Sequence, residues 1–573
     1  MGTVGESPTR MWLLAILVIA YTGLAAYWIH NWIFHFVIYL LVLQHLILLP
    51  VFIILLRGSA RAGDGTGFPS LPSCLAAGLL FFTISLALGW YTSQGVWCAD
   101  ESAYRFQAKI FATGRLTAPA LAGVPLDNTD TPPEVFYTHH IYRNGRWFVK
   151  YTPGWPLILA LGMLAGLPWA ISPLLGGLCL WTTHSLARRV FGSKIANLSV
   201  WIVVLSPIFI TNVLGTMSHA LCALCIVAAC LLCFEGLKTL KALPFAGMFA
   251  LGGFSCFVRP LTGFAITAVL GLSTLWYLRM HRRLWLRVFV LACIFGALTV
   301  GSFLQYDKKY TGSYLVTPYA AARGLRVPAE ISGGTHQTLE NLRVTTRFAL
   351  QDTLLFAVPF VFLFAVYACS HEKERLREVR ILMFFFPAVV VAYLIQVEGS
   401  SASFGERYYF ESLFAVAILG ARGLILFVEN NNFSRRTVNH LLLGALFLQL
   451  VMQVVSVHKF VYKLDPTRKI QEALNELTLS QAVVFMAENE RLVPRHFNLN
   501  SLDWARADLV FLIDPGPGQR AAWACREGRS NWVSLEYGLA DDTIHEAFGQ
   551  VAPGDCSTLP RDLAPSSAMP HRP

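Results

Sequence analysis

The chain has 573 residues, 55% of them hydrophobic and only 14% charged, with a formal net charge of +11. Soluble domains carry about 25% charged residues, so a water-soluble globule is excluded, and apolar runs near the roughly 20 residues that cross a bilayer point to helices rather than to a barrel. The positive charge lies in short patches beside those runs, which is the positive-inside pattern and not a nucleic-acid-binding face.

In chain order, Met11 to His30 is too long for the apolar region of a cleavable signal and is followed at once by a second apolar run, so it reads as a first span. Spans are predicted near 11–30, 34–56, 72–92, 170–187, 196–213, 219–235, 243–257, 261–280, 288–305, 352–369, 380–397, 411–428 and 439–457, about thirteen in all. The basic loops fall on one side if the N-terminus is cytoplasmic: Arg57 and Arg61; Arg188, Arg189 and Lys194; Lys238 and Lys241; 281–287; 371–380; Arg435 and Arg436. Trp155 to Leu167 is short for a span, and counting it would turn Arg188 and Arg189 outward, so it reads as a juxtamembrane or re-entrant helix. Cys222, Cys225, Cys230 and Cys233 share one apolar segment, where they read as small packing residues rather than zinc ligands.

The fold class that follows is an α-helical polytopic membrane protein with a small C-terminal soluble α/β domain. Residues 1–92 form N-terminal transmembrane helices, 93–169 an outer catalytic loop with juxtamembrane helices, 170–457 a transmembrane core, and 458–573 the outer soluble domain. In the tail, 481–486 and 507–514 read as strands; the PGPG at 515–518 is a turn, with no nucleotide-binding pattern around it. Cys525 and Cys556 would pair in an oxidising compartment or stay as two free thiols.

The outer loop carries the chemistry. In WCADESAYRFQAKIFATGRL, 97–116, Asp100 and Glu101 follow a span and lead an amphipathic helix bearing Tyr104, so a carboxylate lies at headgroup level, where partial desolvation raises basicity. Two readings of Asp100 stand: a general base, or a cap on the helix that Asn would replace. The loop ends in NGRWFVKYTPGWP, 144–156, where Lys150 beside Tyr151 suits a phosphate, or snorkels. His139 and His140 are adjacent, and on a strand would face opposite ways. Arg259 and Arg407 sit at outer helix ends, Ser218 and His219 at an outer helix start; ionisable groups at such depth usually face a cavity. Acids facing Lys150, Arg259 and Arg407 form the layout that a phosphate leaving group and a hydroxyl acceptor require.

These motifs, with KYTPGWPLILALG, SPIFITNVLGTMSHA at 206–220, FVRPLTG at 257–263, YTGSYLVTPY at 310–319 and FGERYYFE at 404–411, resemble the C-type (GT-C) membrane glycosyltransferases. The likeness is strongest to bacterial relatives of protein O-mannosyltransferases and of lipid A aminoarabinose transferases. Two spans precede the helix leading into the acidic loop, where the family usually has one. The resemblance implies a GT-C-like fold in a bacterial inner membrane with a periplasmic C-terminal domain, and an inverting transfer of a sugar from a polyprenyl-phosphate donor to a hydroxyl of a lipid, glycan or protein acceptor. Asp100 would be the base with Glu101 as its motif neighbour; Lys150, Arg259 and Arg407 would hold the donor phosphate; Tyr104, His139, His140, Tyr151 and His219 would be substrate contacts. Some members use a divalent cation and others none, which makes His139, His140 and Glu134 candidate ligands. The rival readings are a multi-span transporter or flippase of an anionic or lipid-linked substrate, a surface-polysaccharide polymerase or ligase, and a membrane-anchored scaffold.

Overall fold

The computed structural model describes residues 74–93, 95–119, 137–322, 358, 360–394, 407–477, 480–503 and 506–552. The predicted spans at 11–30 and 34–56, the larger part of the outer stretch 306–350, Glu134 and Cys556 lie outside the described residues.

The chain is mostly helical. Helix α1 (Cys74–Thr92) is followed by α2 (Ala99–Ala112). The outer loop then forms a small antiparallel sheet of β1 (Ala118–Pro119), β2 (His140–Arg143) and β3 (Arg146–Val149), in the order β1-β3-β2. Asn144 and Gly145 both take positive φ between β2 and β3, the conformation that a two-residue hairpin turn demands and that Asn-Gly adopts readily. Helix α3 (Gly154–Leu164) meets α4 (Pro168–Phe191) at a bend of 120°. Helices α5 (Ser193–Leu205) and α6 (Pro207–Leu214) meet at 65°. Pro207, like Pro168 and Pro260, opens a helix where its missing N–H costs nothing. Then follow α7 (His219–Thr239), α8 (Ala242–Val258), α9 (Pro260–Leu278), α10 (Arg282–Thr311), the single turn α11 (Pro318–Ala321), α12 (Val361–His371), α13 (Leu376–Met383) and α14 (Phe385–Tyr393). A 3-10 turn, Arg407–Ser412, feeds α15 (Leu413–Asn430), and α16 (Arg435–Glu476) runs for 42 residues.

Six of these helices are long and apolar enough to cross a membrane, or up to eight if each bent pair is one span. The protein is therefore an integral membrane protein. The bend at Ala165–Leu167 separates α3, which holds most of the stretch Trp155 to Leu167, from α4. Helix α16 carries Pro466 inside it and runs past the end of the span predicted at 439–457. Beyond it, β4 (Ala482–Met486), β5 (Leu509–Ile513), helix α17 (Arg520–Arg526), β6 (Asn531–Tyr537) and β7 (Ile544–Gln550) build a four-stranded sheet in the order β5-β4-β6-β7. Strand β4 pairs in parallel with β5 and β6, while β7 is antiparallel to β6.

Two cores matter for the site. One fills the membrane helices. The other joins the outer loop to the tail: Phe106, Ile110, Tyr137, Tyr142 and Trp147 pack with Val483, Phe485, Val510, Leu512 and Trp523. Polar links reinforce that joint. The Tyr137 hydroxyl donates to the Phe511 carbonyl at 2.6 Å, and the Asn498 amide donates to Ser102 Oγ at 2.8 Å. The tail is thus continuous with the helix that bears Asp100.

Helices α12 and α15 approach most closely at Gly423, where an added Cβ would overlap the Phe364 carbonyl, whereas a Cβ at Gly301 of α10 would meet nothing within 4 Å. Gly423→Ala should lower stability by about 1–3 kcal/mol through overpacking against backbone, and Gly301→Ala should be neutral or stabilise by up to about 1 kcal/mol. Thermal melts of the two variants in detergent check the contrast, and equal melting points would refute the close approach.

Candidate functional site

Four chain segments converge on Asp100. Helix α2 begins with Cys98 as its N-cap, in extended conformation and without a side-chain cap bond, so Asp100 lies inside the first turn and is not the cap. Its carboxylate turns away from the helix. Oδ1 accepts from the Tyr151 hydroxyl at 2.5 Å and lies 2.9 Å from His139 Nε2; Oδ2 lies 2.6 Å from Arg407 Nη2. His139 reaches this point from a turn in which it takes φ 72°, Tyr151 from just after β3, and Arg407 from the first residue of the 3-10 turn. Asp100 and Arg407 retain 14% and 11% side-chain exposure, so the pair is reachable from outside.

Burial alone would raise the Asp100 carboxyl, but the Arg407 guanidinium, with the hydrogen bonds from His139 and Tyr151, holds it well below the usual carboxylate range. The Tyr151 phenol is pushed far up by burial and by the Asp100 charge, so it remains a donor. Tyr104, one helical turn after Asp100, stacks on Tyr151 with centroids 4.5 Å apart, and its hydroxyl lies 3.3 Å from Ser218 Oγ. Lys150 Nζ stands over the Tyr319 ring at 4.4 Å and the Tyr151 ring at 5.4 Å.

Glu101 faces the other way. It is 1% exposed; Oε1 accepts from the Thr216 amide at 2.8 Å, from Thr216 Oγ1 at 2.9 Å and from Arg105 at 2.9 Å, while Oε2 accepts from the Trp97 amide at 3.2 Å. Its sites are taken by groups that fasten α2 to the turn before α7. Glu101, expected as the motif neighbour of the base, thus points into the packed interior, and its partners are not those of Asp100.

A second charged cluster lies beneath the first. Arg259 Nε is 3.0 Å from Glu411 Oε1, and His219 Nδ1 is 3.1 Å from the same oxygen. The Arg259 guanidinium also reaches Ser218 Oγ at 3.4 Å, His219 Nε2 at 3.4 Å and the Tyr393 hydroxyl at 3.0 Å. Glu411 and His219 are fully buried, and Glu411 Oε2 has no hydrogen-bond partner. Both arginines expected to wait for a phosphate are thus each paired with a carboxylate. Glu411, in the quoted FGERYYFE, was not singled out from sequence; an acid entering an apolar helix was the available signal. Tyr393 carried no such signal.

His140 departs from its expected role. It lies among Phe106, Tyr137 and Trp147, accepts the Trp147 indole N–H at Nδ1 over 3.0 Å, and burial followed by the His139 charge pushes it down to about 3. It is a neutral packing residue and does not face the substrate side with His139. Among the described residues, no group of three or more His, Cys, Asp or Glu side chains could hold a metal ion, and His139 Nε2 is spent on Asp100. The described side chains do not fit a divalent cation.

No family model matches the sequence, and no curated protein matches it. Solved structures are similar. ArnT from Cupriavidus metallidurans, in a crystal structure bound to undecaprenyl phosphate, matches over 81% of this chain and 93% of its own, at 14% identity and a TM-score of 0.48. The archaeal oligosaccharyltransferase AglB from Archaeoglobus fulgidus, in complex with an inhibitory peptide and a dolichol-phosphate, matches over 85% of this chain and 75% of its own, at 10% identity and a TM-score of 0.38. The arabinofuranosyltransferase AftD from Mycobacteria matches over 82% of this chain and 36% of its own, at 12% identity and a TM-score of 0.41. These structural neighbours are GT-C glycosyltransferases.

The depressed Asp100 carboxyl predicts a pH signature. A carboxyl held below its unfolded value, about 3.9, stabilises the fold fully above that value, and the contribution is lost as pH falls through the folded one. The melting temperature of wild type should therefore exceed that of Arg407→Gln by a constant margin from neutral pH down to about 5, and the margin should shrink below about 4. A margin independent of pH down to 3 would mean that Arg407 stabilises the fold without engaging the Asp100 charge.

Proposed function

We propose that the protein transfers a sugar from a polyprenyl-phosphate donor to an acceptor hydroxyl on the non-cytoplasmic side of the membrane, with Asp100 as the general base. The observation that carries this reading is one partly exposed carboxylate paired with Arg407, with Arg259 behind Tyr104 and Ser218, and with Lys150 over the ring of Tyr151, whose hydroxyl bonds Asp100. Asp100 takes the acceptor's proton as its oxygen attacks the anomeric carbon; the bond from that carbon to the phosphate oxygen breaks with inversion, and the phosphate leaves on its lipid carrier. Lys150, Arg259 and Arg407 stabilise the charge that develops on the leaving phosphate, the term that usually contributes most in such transfers. Tyr104, Tyr151 and His139 keep the base in place.

The orientation proposed is N-terminus inside and residues 458–573 outside, as a domain against the outer loop, in a bacterial inner membrane. Its support is the one-sided placement of the basic loops and the disulfide that Cys525 carries, which suits an oxidising compartment.

The test compares wild type and Asp100→Asn, purified in detergent, for release of free polyprenyl phosphate from a panel of polyprenyl-phosphate sugars in membrane extract. Asn cannot accept the proton and also leaves Arg407 without its counter-charge, so the melt is recorded alongside and assays are run well below it. Release should fall by about 10²-fold or more in a folded variant. Equal release would remove Asp100 from the mechanism; no release by either protein would favour a transporter.

A further inference from the structure

The carboxylate proposed as base is held in a state that makes it a poor one. Its pairing with Arg407 lowers basicity, and a general base works best with a pKa near the operating pH. The same contact covers Oδ2, while Oδ1 is already taken by Tyr151 and His139. An acceptor hydroxyl therefore meets an Oδ1 with two partners and an Oδ2 shared with a cation while Arg407 stays, so the lone pair left on Oδ2 is a weak base.

We propose that the donor phosphate and the Asp100 carboxylate compete for Arg407, so that arrival of the lipid phosphate releases the carboxylate that serves as base. This rests on the carrier and the base assigned under the proposed function. Three observations support it. The Arg407–Asp100 pair is reachable from outside, whereas Glu411, the counterpart of Arg259, is fully buried, so the outer pair is the one a ligand can open. The Arg407 and Arg259 guanidinium carbons lie 5.6 and 5.5 Å from the centroid of one ring, Tyr408. Both cations thus border the same ring, and on this proposal it is the movement of Arg407 off Asp100 that brings the two toward one phosphate. Finally, once Arg407 departs, the Tyr151 and His139 bonds to Oδ1 remain and hold the carboxylate with Oδ2 open. A phosphate offers the guanidinium a bidentate partner at least as good as the carboxylate it leaves.

The experiment is a double-mutant cycle on the binding of undecaprenyl phosphate itself, which needs neither the sugar nor the acceptor to be known. Affinity is measured for wild type, Asp100→Asn, Arg407→Gln and the double variant, each checked for a cooperative melt. Competition predicts that Asp100→Asn binds the carrier about tenfold tighter when Arg407 is present and no tighter when residue 407 is Gln. Equal tightening by Asp100→Asn in both backgrounds would reduce the effect to the loss of a nearby negative charge and overturn the competition, as would no change in either. No binding by any protein would remove the carrier and the competition together, whereas a positive cycle without sugar release would keep the competition and remove the transfer.

Discussion

The Asp100 carboxylate accepts from three side chains at once, and the outer half of the molecule is arranged to make that possible. Helix α2, the turn before β2, the segment after β3 and the 3-10 turn before α15 each contribute one group. None would lie at this depth without the others, because an isolated charge at the edge of a low-dielectric region costs several kcal/mol. The second cluster obeys the same constraint more strictly: Glu411 has no exposure, and Arg259 and His219 share one of its oxygens. The Tyr104–Ser218 contact and the Tyr408 ring, which both guanidiniums approach, link the two clusters. The site is therefore a pair of nearly neutral assemblies, and its net charge is much lower than a count of arginines implies.

The membrane helices supply the geometry by breaking. Irregular backbone at membrane depth is tolerated only where protein surrounds it, and the turn from Gly215 to Ser218 fits that rule. Its Thr216 carbonyl accepts the Trp155 indole N–H at 2.8 Å, its amide is taken by Glu101, and a Cβ on Gly215 would crowd the Trp97 ring. On the opposite side, a Cβ on Gly154 would meet the backbone of Phe257 and Val258, so α3 starts directly against the end of α8, where Arg259 emerges. The tail strands complete the core of the segment that follows α1. The segment carrying His496 bridges both members of the His139–Asp100 contact, since the Arg495 carbonyl accepts the Thr138 amide and the Asn498 amide donates to Ser102.

Much of this was legible in the amino-acid order. Apolar length marked the helices, the acidic loop marked α2, and the cost of ionisable groups near lipid marked Arg259 and Arg407. What was not legible is pairing across long sequence separations. Adjacent Asp100 and Glu101 look equivalent as a motif, yet a helix turns successive residues by about 100°, so one faces the site and the other the packed interior. The cap reading failed because the helix starts at Ala99, which places the acid inside the first turn. His139 and His140 separate for a related reason: one holds a left-handed turn and the other begins a strand whose side chain enters an aromatic core. Arg407 and Asp100 are 307 positions apart (407 − 100), and no local pattern relates them.

The internal pairing also bears on selectivity. A membrane surface presents phosphate headgroups in great excess over any one carrier, and an uncompensated guanidinium at that level would hold whichever arrived. A carboxylate already on the guanidinium raises the threshold: a ligand must offer enough contacts elsewhere to displace it, which is discrimination by a built-in competitor. Under the proposed function those other contacts would come from the Lys150 ammonium, which stands over tyrosine faces, and from the Arg259 cluster. A lipid phosphate that reaches only the rim meets a neutral pair, whereas one seated deeply enough to touch both cations can open it. On this account the pair ties activation of the base to correct seating of the phosphate, and the uncovered carboxylate exists only when there is a leaving group in place for it to serve.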